Sequence, residues 1–129
     1  ANSPFIASFI GSMNFIPAKI TGSGKAQCDQ IEINCITEGF SKNEVAQIAI
    51  RPEDISFNQE NQNDNLIKAK ITEIEFLGAF QRIYFNSTLI SNSSIIVDIS
   101  SPSARKIQLA VNDELNLYFS PEDTKVYQV

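Results

Sequence analysis

A chain of 129 residues with 43% apolar content can build one hydrophobic core and is too short for two comfortable domains. Ten basic against fifteen acidic residues leave a net charge of −5, and no segment gathers the stripe of Lys and Arg that displaces counterions from phosphates, which argues against DNA or RNA binding. Histidine is absent, and the spacing of Cys28 and Cys35 matches no zinc or redox motif, so both read as reduced thiols of a cytosolic protein, with a disulfide across a hairpin as the alternative.

At the start, Ser3 and Pro4 supply an N-cap and a first-turn proline, Phe5, Ile6, Phe9 and Ile10 recur at helical spacing, and Gly11 stops the pattern. This predicts a short helix, marginal by itself in water, that must lay Phe5, Ile6 and Phe9 on something. The apolar run from Phe5 to Ile10 is far too short to cross a bilayer, and the order of regions that marks a signal peptide is missing.

From Met13 onward the period changes to two. Met13 and Phe15, Ile31 with Ile33 and Cys35, Ile95 with Val97 and Ile99, and Leu115 with Leu117 and Phe119 alternate as half-buried strands do. Polar turns separate them at Thr21–Gly24, Ser41–Asn43, Ser91–Ser94 and Asn112–Asp113. Many short strands of this kind predict an antiparallel barrel or sandwich. Within 66–76 the apolar phase runs Ile67, Ala69, Ile71 and then switches to Ile74 and Phe76, so an extra residue at Thr72 or Glu73 is expected as a β-bulge. The all-polar stretch Asn58 to Asn65 offers nothing to bury and predicts a mobile loop. Finally, Gln47–Asp54 and Asn116–Asp123 both place Pro-Glu-Asp after a strand, an internal echo of one design.

Candidate sites are few. Gly22-Ser23-Gly24-Lys25 is followed by Ala26 instead of a hydroxyl residue and has no leading glycine at the right distance, so it is a turn and not a phosphate loop. At Arg51-Pro52-Glu53-Asp54 the proline sets φ and the carboxylates accept backbone N–H groups, with Arg51 able to pair with either acid. Glu53, Asp54, Glu122 and Asp123 would form an oxygen ligand set for a hard cation if the two turns met; the plainer reading is solvated acids at strand ends. An oxyanion would look for Ser91–Ser94 or Ser100–Ser103, and Tyr84, Tyr118 and Tyr127 sit at half-buried strand positions. No catalytic, cofactor or metal constellation emerges.

Four segments taken in order, Phe9–Phe15, Ile50–Ile55, Glu75–Ala79 and Phe119–Asp123, resemble the accessory barrel that follows the ATPase core in ABC-transporter ATP-binding subunits, the transport-associated OB (TOBE) domain. The matching positions are Phe9, Gly11, Asn14, Arg51, Pro52, Glu53, Gly78, Pro121 and Glu122, with Phe119–Asp123 similar to the family's last strand and closing turn. The resemblance implies an all-β fold, a small antiparallel OB-like barrel of MOP/TOBE type with a short N-terminal helix. Residues 1–11 would be the linker helix from an upstream ATPase domain and 12–129 the regulatory barrel, the chain opening on Ala1 as a piece of a longer polypeptide. It further implies a non-catalytic role in pairing two ATP-binding subunits and in solute sensing, with ATP and Mg confined to the upstream domain. The implied partners are a second copy, the upstream ATPase domain and the transporter's membrane subunits, with no nucleic acid. The place would be the cytoplasmic face of the cell membrane. Phe5, Ile6 and Phe9 are the expected dimer contact. Met13-Asn14-Phe15 is similar to sugar and glycerol-phosphate importers, while the short spacing also suits ferric-iron, polyamine or phosphonate systems. The rival readings are a free-standing small-anion or metal-binding barrel and a single-strand nucleic-acid OB module.

Overall fold

The computed structural model describes residues 12–129. The N-terminal helix expected over 1–11, and with it Phe5, Ile6, Phe9 and Gly11, lies outside the described residues. Rich in Ile, whose branched side chain suits a pleated surface, the described chain forms strands β1 (Asn14–Gly22), β2 (Lys25–Cys28), β3 (Ile31–Asn34), β4 (Val45–Ile50), β5 (Asn65–Phe76), β6 (Phe80–Ser87), β7 (Ile90–Ser100), β8 (Glu114–Phe119) and β9 (Lys125–Gln128). Helix α1 (Ser101–Ile107) precedes β8, and 3₁₀ turns at Pro52–Asp54 and Pro121–Asp123 follow β4 and β8. Two antiparallel sheets result, in the orders β3-β2-β1-β4-β9 and β7-β6-β5-β8. No helix among the described residues is long and apolar enough to cross a membrane.

The sheets enclose one core. Ile16, Ile20, Ile33, Ile48 and Ile50 of the first sheet are fully buried, as are Ile67, Ile71, Ile83, Phe85, Ile95, Val97 and Leu117 of the second. Burial of each such side chain contributes about 1.5–3 kcal/mol, and the alternation along β5 shows how the period of two delivers it.

The internal echo extends to the whole topology. Asn14 faces Ile50 as Asn65 faces Phe119, and Ile20 faces Ala26 as Ile71 faces Phe85. Asn43 donates its N–H to Ile20 O, and Asn112 to Ile71 O, both asparagines being left-handed at φ 72° and 81°. The segments after the two 3₁₀ turns are exchanged: Ser56 bridges Tyr118 of the second half, and Lys125 pairs with Ala49 of the first. Two copies of one strand plan thus interlock about a pseudo-two-fold axis, each half completing the other's sheet.

The expected bulge is present. Ile71 pairs with Phe85 and Glu73 with Tyr84, leaving Thr72 as the extra residue, and its Oγ1 donates to Tyr84 O at 3.2 Å. Thr21 occupies the same place in β1, where the register shifts between Ile20 and Gly22.

Four expectations need correction. In β1 the inward residues are Asn14, Ile16, Ala18 and Ile20, so Phe15 faces outward; a shift of one residue flips a strand's faces, and Asn14 is needed inside. The polar stretch 58–65 is not all loop: Asn65 opens β5 and is buried, while Asp64 accepts the N–H groups of Glu60 and Asn61. Ser91–Ser94 lies within β7, not in a turn. Phe119 ends the penultimate strand, because β9 follows the closing turn.

Helix α1 was not legible as a period. Ser100 caps it by accepting Ser103 N–H at 3.3 Å, Pro102 stands in its first turn, and Gln108 ends it in the left-handed region. Its one buried residue is Ala104, too little to show as a hydrophobic stripe.

Candidate functional site

The two Pro-Glu-Asp turns are built alike and lie side by side. Pro52 is buried and fixes the first turn, in which Asp54 N donates to Arg51 O at 2.9 Å. In the second, Ser120 acts as the cap: Asp123 N donates to Ser120 Oγ, and Thr124 Oγ1 returns to Ser120 O at 2.8 Å, which satisfies a fully buried threonine. Arg51 holds the position that Ser120 holds in the other half, and no side chain caps the first turn.

Where the turns approach, a cleft of about 110 Å³ is lined by Met13, Ala49, Arg51, Asp54, Asp123, Lys125 and Tyr127. The strand register delivers these side chains: Lys125 pairs with Ala49, Tyr127 with Gln47, and Phe15 with Ala49 from the other side. Phe15 meets the Tyr127 ring edge-on at 6.4 Å between centroids. Partial burial pushes the Asp54 carboxyl above its ordinary value, with Asp123 and Glu53 adding repulsion and Arg51 and Lys125 opposing it. The ion pairs among the described residues are Lys25–Glu32 and Arg82–Asp98, so neither cation of the cleft lies within 4.0 Å of either carboxylate. The four acids do not converge as a ligand set: among the described residues no group of three or more His, Cys, Asp or Glu side chains is placed to hold a metal ion.

The other expected positions disperse. Asn14 is an inter-sheet clamp, donating to Ile96 O at 2.8 Å and accepting Ile96 N–H at 2.7 Å. Gly78 sits at φ 83° in the turn between β5 and β6, a conformation that favours glycine, and its carbonyl accepts the Ser101 hydroxyl. Beside it Phe76 is 75% exposed. Glu53 and Glu122 point to solvent, while Pro121 is half-buried. Ser91 donates twice to Asp29, and Ser87, Ser91, Ser93 and Ser94 border an open hollow of about 460 Å³. Tyr84 donates to Glu75 and Tyr118 is half-buried. Both cysteines are buried free thiols, pushed up by burial to about 12 for Cys28 and about 11 for Cys35, which makes them poor nucleophiles.

Three features were missed in the sequence. Arg82 grips Asp98 through two bonds of 2.9 Å, reaches Ser12 and lies over Phe80, which ties residue 12 to the second sheet. Asn65 bonds twice to Asn34. Lys125 enters the cleft only because β9 crosses to the first sheet. Each depends on a register between distant segments; the second Pro-Glu-Asp was the one local signal pointing at Lys125.

Against this geometry, the family model for the TOBE domain matches residues 48–126, from β4 into β9. The chain is 22% identical to the Fe(3+) ions import ATP-binding protein FbpC 2 of Rhizobium meliloti (strain 1021), over 92% of this chain and 33% of that protein. It is 28% identical to the spermidine/putrescine import ATP-binding protein PotA of Clostridioides difficile (strain 630), over 95% of this chain and 32% of that protein. The chain therefore spans about a third of the length of these curated relatives. Among solved structures, the cytoplasmic molybdate-binding protein ModG with molybdate bound superposes with a TM-score of 0.72 at 6% identity, covering 90% of this chain and 96% of that one, so the two share a fold.

Proposed function

The chain belongs to the TOBE domain family, and from that membership we propose that it is the regulatory barrel of the ATP-binding subunit of an importer. Residues 1–11 then link it to an ATPase domain upstream, which alone carries ATP and Mg. The barrel itself performs no catalysis: it pairs with a second copy, holds two ATP-binding subunits together as their cores open and close, and biases that motion when a solute binds. Such a bias requires different contacts in the two states. The complex sits at the cytoplasmic face of the membrane through the transporter's membrane subunits.

The observation that carries this reading is the joint one: the family match spans most of the barrel, and both import ATP-binding relatives align along nearly the whole chain while two thirds of their own length lies elsewhere. Determining the coding sequence upstream of Ala1 tests it. A domain with a Gly-rich loop ending in Gly-Lys-Ser or Gly-Lys-Thr is the expected result; an unrelated domain overturns it.

A second reading, a free-standing small-anion barrel, draws support from the fold shared with ModG and from the serine-bordered hollow at the β6–β7 turn. Native mass spectrometry after incubation with molybdate separates the two, since a retained anion without an ATPase partner favours this one.

A further inference from the structure

We propose that the cleft beside the two Pro-Glu-Asp turns binds a small zwitterion, a molecule with an ammonium and a carboxylate a few bonds apart, its carboxylate held by Arg51 and Lys125 and its ammonium by Asp54 and Asp123. This deepens the sensing role proposed above and rests on it.

The pseudo-symmetry supplies an internal control for what the fold requires. Lys125 pairs with Ala49 in one half as Ser56 bridges Tyr118 in the other, and Arg51 precedes its turn as Ser120 precedes the second. The end of the second sheet therefore builds the same turn and the same strand exchange with two serines, Ser120 after β8 and Ser56 from the first half. Neither cation is demanded by the architecture, yet both occur at the end of the first sheet, where the exchanged strand is long enough to bring Tyr127 alongside.

The charges also choose the ligand. Both signs line the cleft without ion pairs within 4.0 Å, so each group retains binding capacity. A lone anion would face Asp54 and Asp123, and a lone cation would face Arg51 and Lys125, whereas a molecule carrying both charges finds an opposite charge for each. At about 110 Å³ the cleft limits that molecule to a few heavy atoms. Tyr127, steadied edge-on by Phe15, offers an aromatic face for an ammonium at the rim.

The test is an amide-resolved NMR titration of the 129-residue chain with glycine, β-alanine and gamma-aminobutyrate, using acetate and methylammonium as single-charge controls. Saturable shifts at Arg51, Asp54, Asp123 and Lys125 are expected for at least one zwitterion, with a dissociation constant on the order of 1 mM and roughly tenfold weaker response to either control. Arg51→Ser and Lys125→Ser, each installing the residue of the other half, should weaken binding roughly tenfold while leaving the melting temperature unchanged; Lys125→Gln is the reserve if either fails to fold. No saturable shift with any zwitterion, an equal response to acetate, or full affinity in the serine variants overturns the site. Absent binding leaves the proposed pairing role standing. Binding that leaves the ATPase rate of the parent subunit unchanged keeps the site and removes the sensing role.

Discussion

The side chain of Asn65, at the start of β5, accepts the N–H of Asn34 at 2.9 Å and donates to its carbonyl at 2.8 Å, so it occupies the edge of β3 as a neighbouring strand would. Asn14 does the same to Ile96 on β7 at the pseudo-symmetric position. Replacing Asn65 with Ala would leave both backbone groups of Asn34 without these partners. At about 1–3 kcal/mol for each unsatisfied buried group, partly relieved by water at this half-covered edge, a loss of about 2–4 kcal/mol is expected. Urea unfolding measures it, and a loss below about 0.5 kcal/mol would show that water replaces the asparagine without cost.

Deleting Thr72 should be tolerated nearly as well as mutating it, because Thr72 is the one residue of β5 without a partner in the ladder. The extra residue lets Ile67, Ala69 and Ile71 face the core before it and Ile74 after it. An unbroken ladder through Thr72 would turn Glu73 and Glu75 inward, whereas with Thr72 deleted Glu73 follows Ile71 directly and keeps its pairing with Tyr84, so only the local bend of the bulge is lost. Thr72→Ala removes only the 3.2 Å bond to Tyr84 O, worth about 1 kcal/mol. Thermal melts of both variants check this: a deletion variant that unfolds far below Thr72→Ala would mean that the sheet needs the bend of the bulge itself and not only the register it sets.

These two cases show what the sequence could and could not reveal. The phase switch between Ile71 and Ile74 is local, so the bulge was readable. The repeated Pro-Glu-Asp, likewise local, announced the duplication. Asn65 reads as loop in the sequence because a polar residue becomes a clamp only when a distant strand end, Asn34, arrives beside it. The Asp54–Asp123 approach and the entry of Lys125 follow from exchanged segments, and no spacing encodes an exchange. Helix α1 hid behind its single buried alanine.

Acidity should act on Asp54 in the direction opposite to most carboxylates. Its folded pKa is raised above the unfolded value, so the folded state binds more protons through that window and the group's contribution falls as pH rises. Asp54→Asn removes this effect. The variant should be more stable than the parent at pH values above the folded pKa, with the advantage vanishing below the unfolded carboxylate value. Urea midpoints near neutrality and in strong acid decide it; a variant less stable near neutrality would mean that Arg51 and Lys125 outweigh burial.

The chain alone should neither hydrolyse ATP nor bind it specifically. Gly22-Ser23-Gly24-Lys25 closes the β1–β2 hairpin, with Gly24 N accepting no phosphate role because it donates to Thr37 Oγ1 at 2.7 Å. Calorimetric titration with Mg-ATP should give no saturable heat; a micromolar transition would refute this expectation.

Self-association should run through β9. Among the described residues, the β3 edge is met by Asn65, the β7 edge by Asn14 and Asp29, and β8 by Ser56. In the strand order, β9 ends its sheet, and its own Tyr127 is 45% exposed. An edge strand with exposed apolar residues favours pairing, and a two-fold operation would set β9 against its own copy. Repulsion from the net charge of −5 is screened at ordinary salt. Concentration-dependent dimers are therefore expected, weakened by Tyr127→Lys and by removal of residues 1–11, which carry Phe5, Ile6 and Phe9. Sedimentation equilibrium distinguishes the outcomes. A monomer at all concentrations would assign subunit pairing to the upstream domain, and a dimer indifferent to Tyr127→Lys would place the contact away from β9.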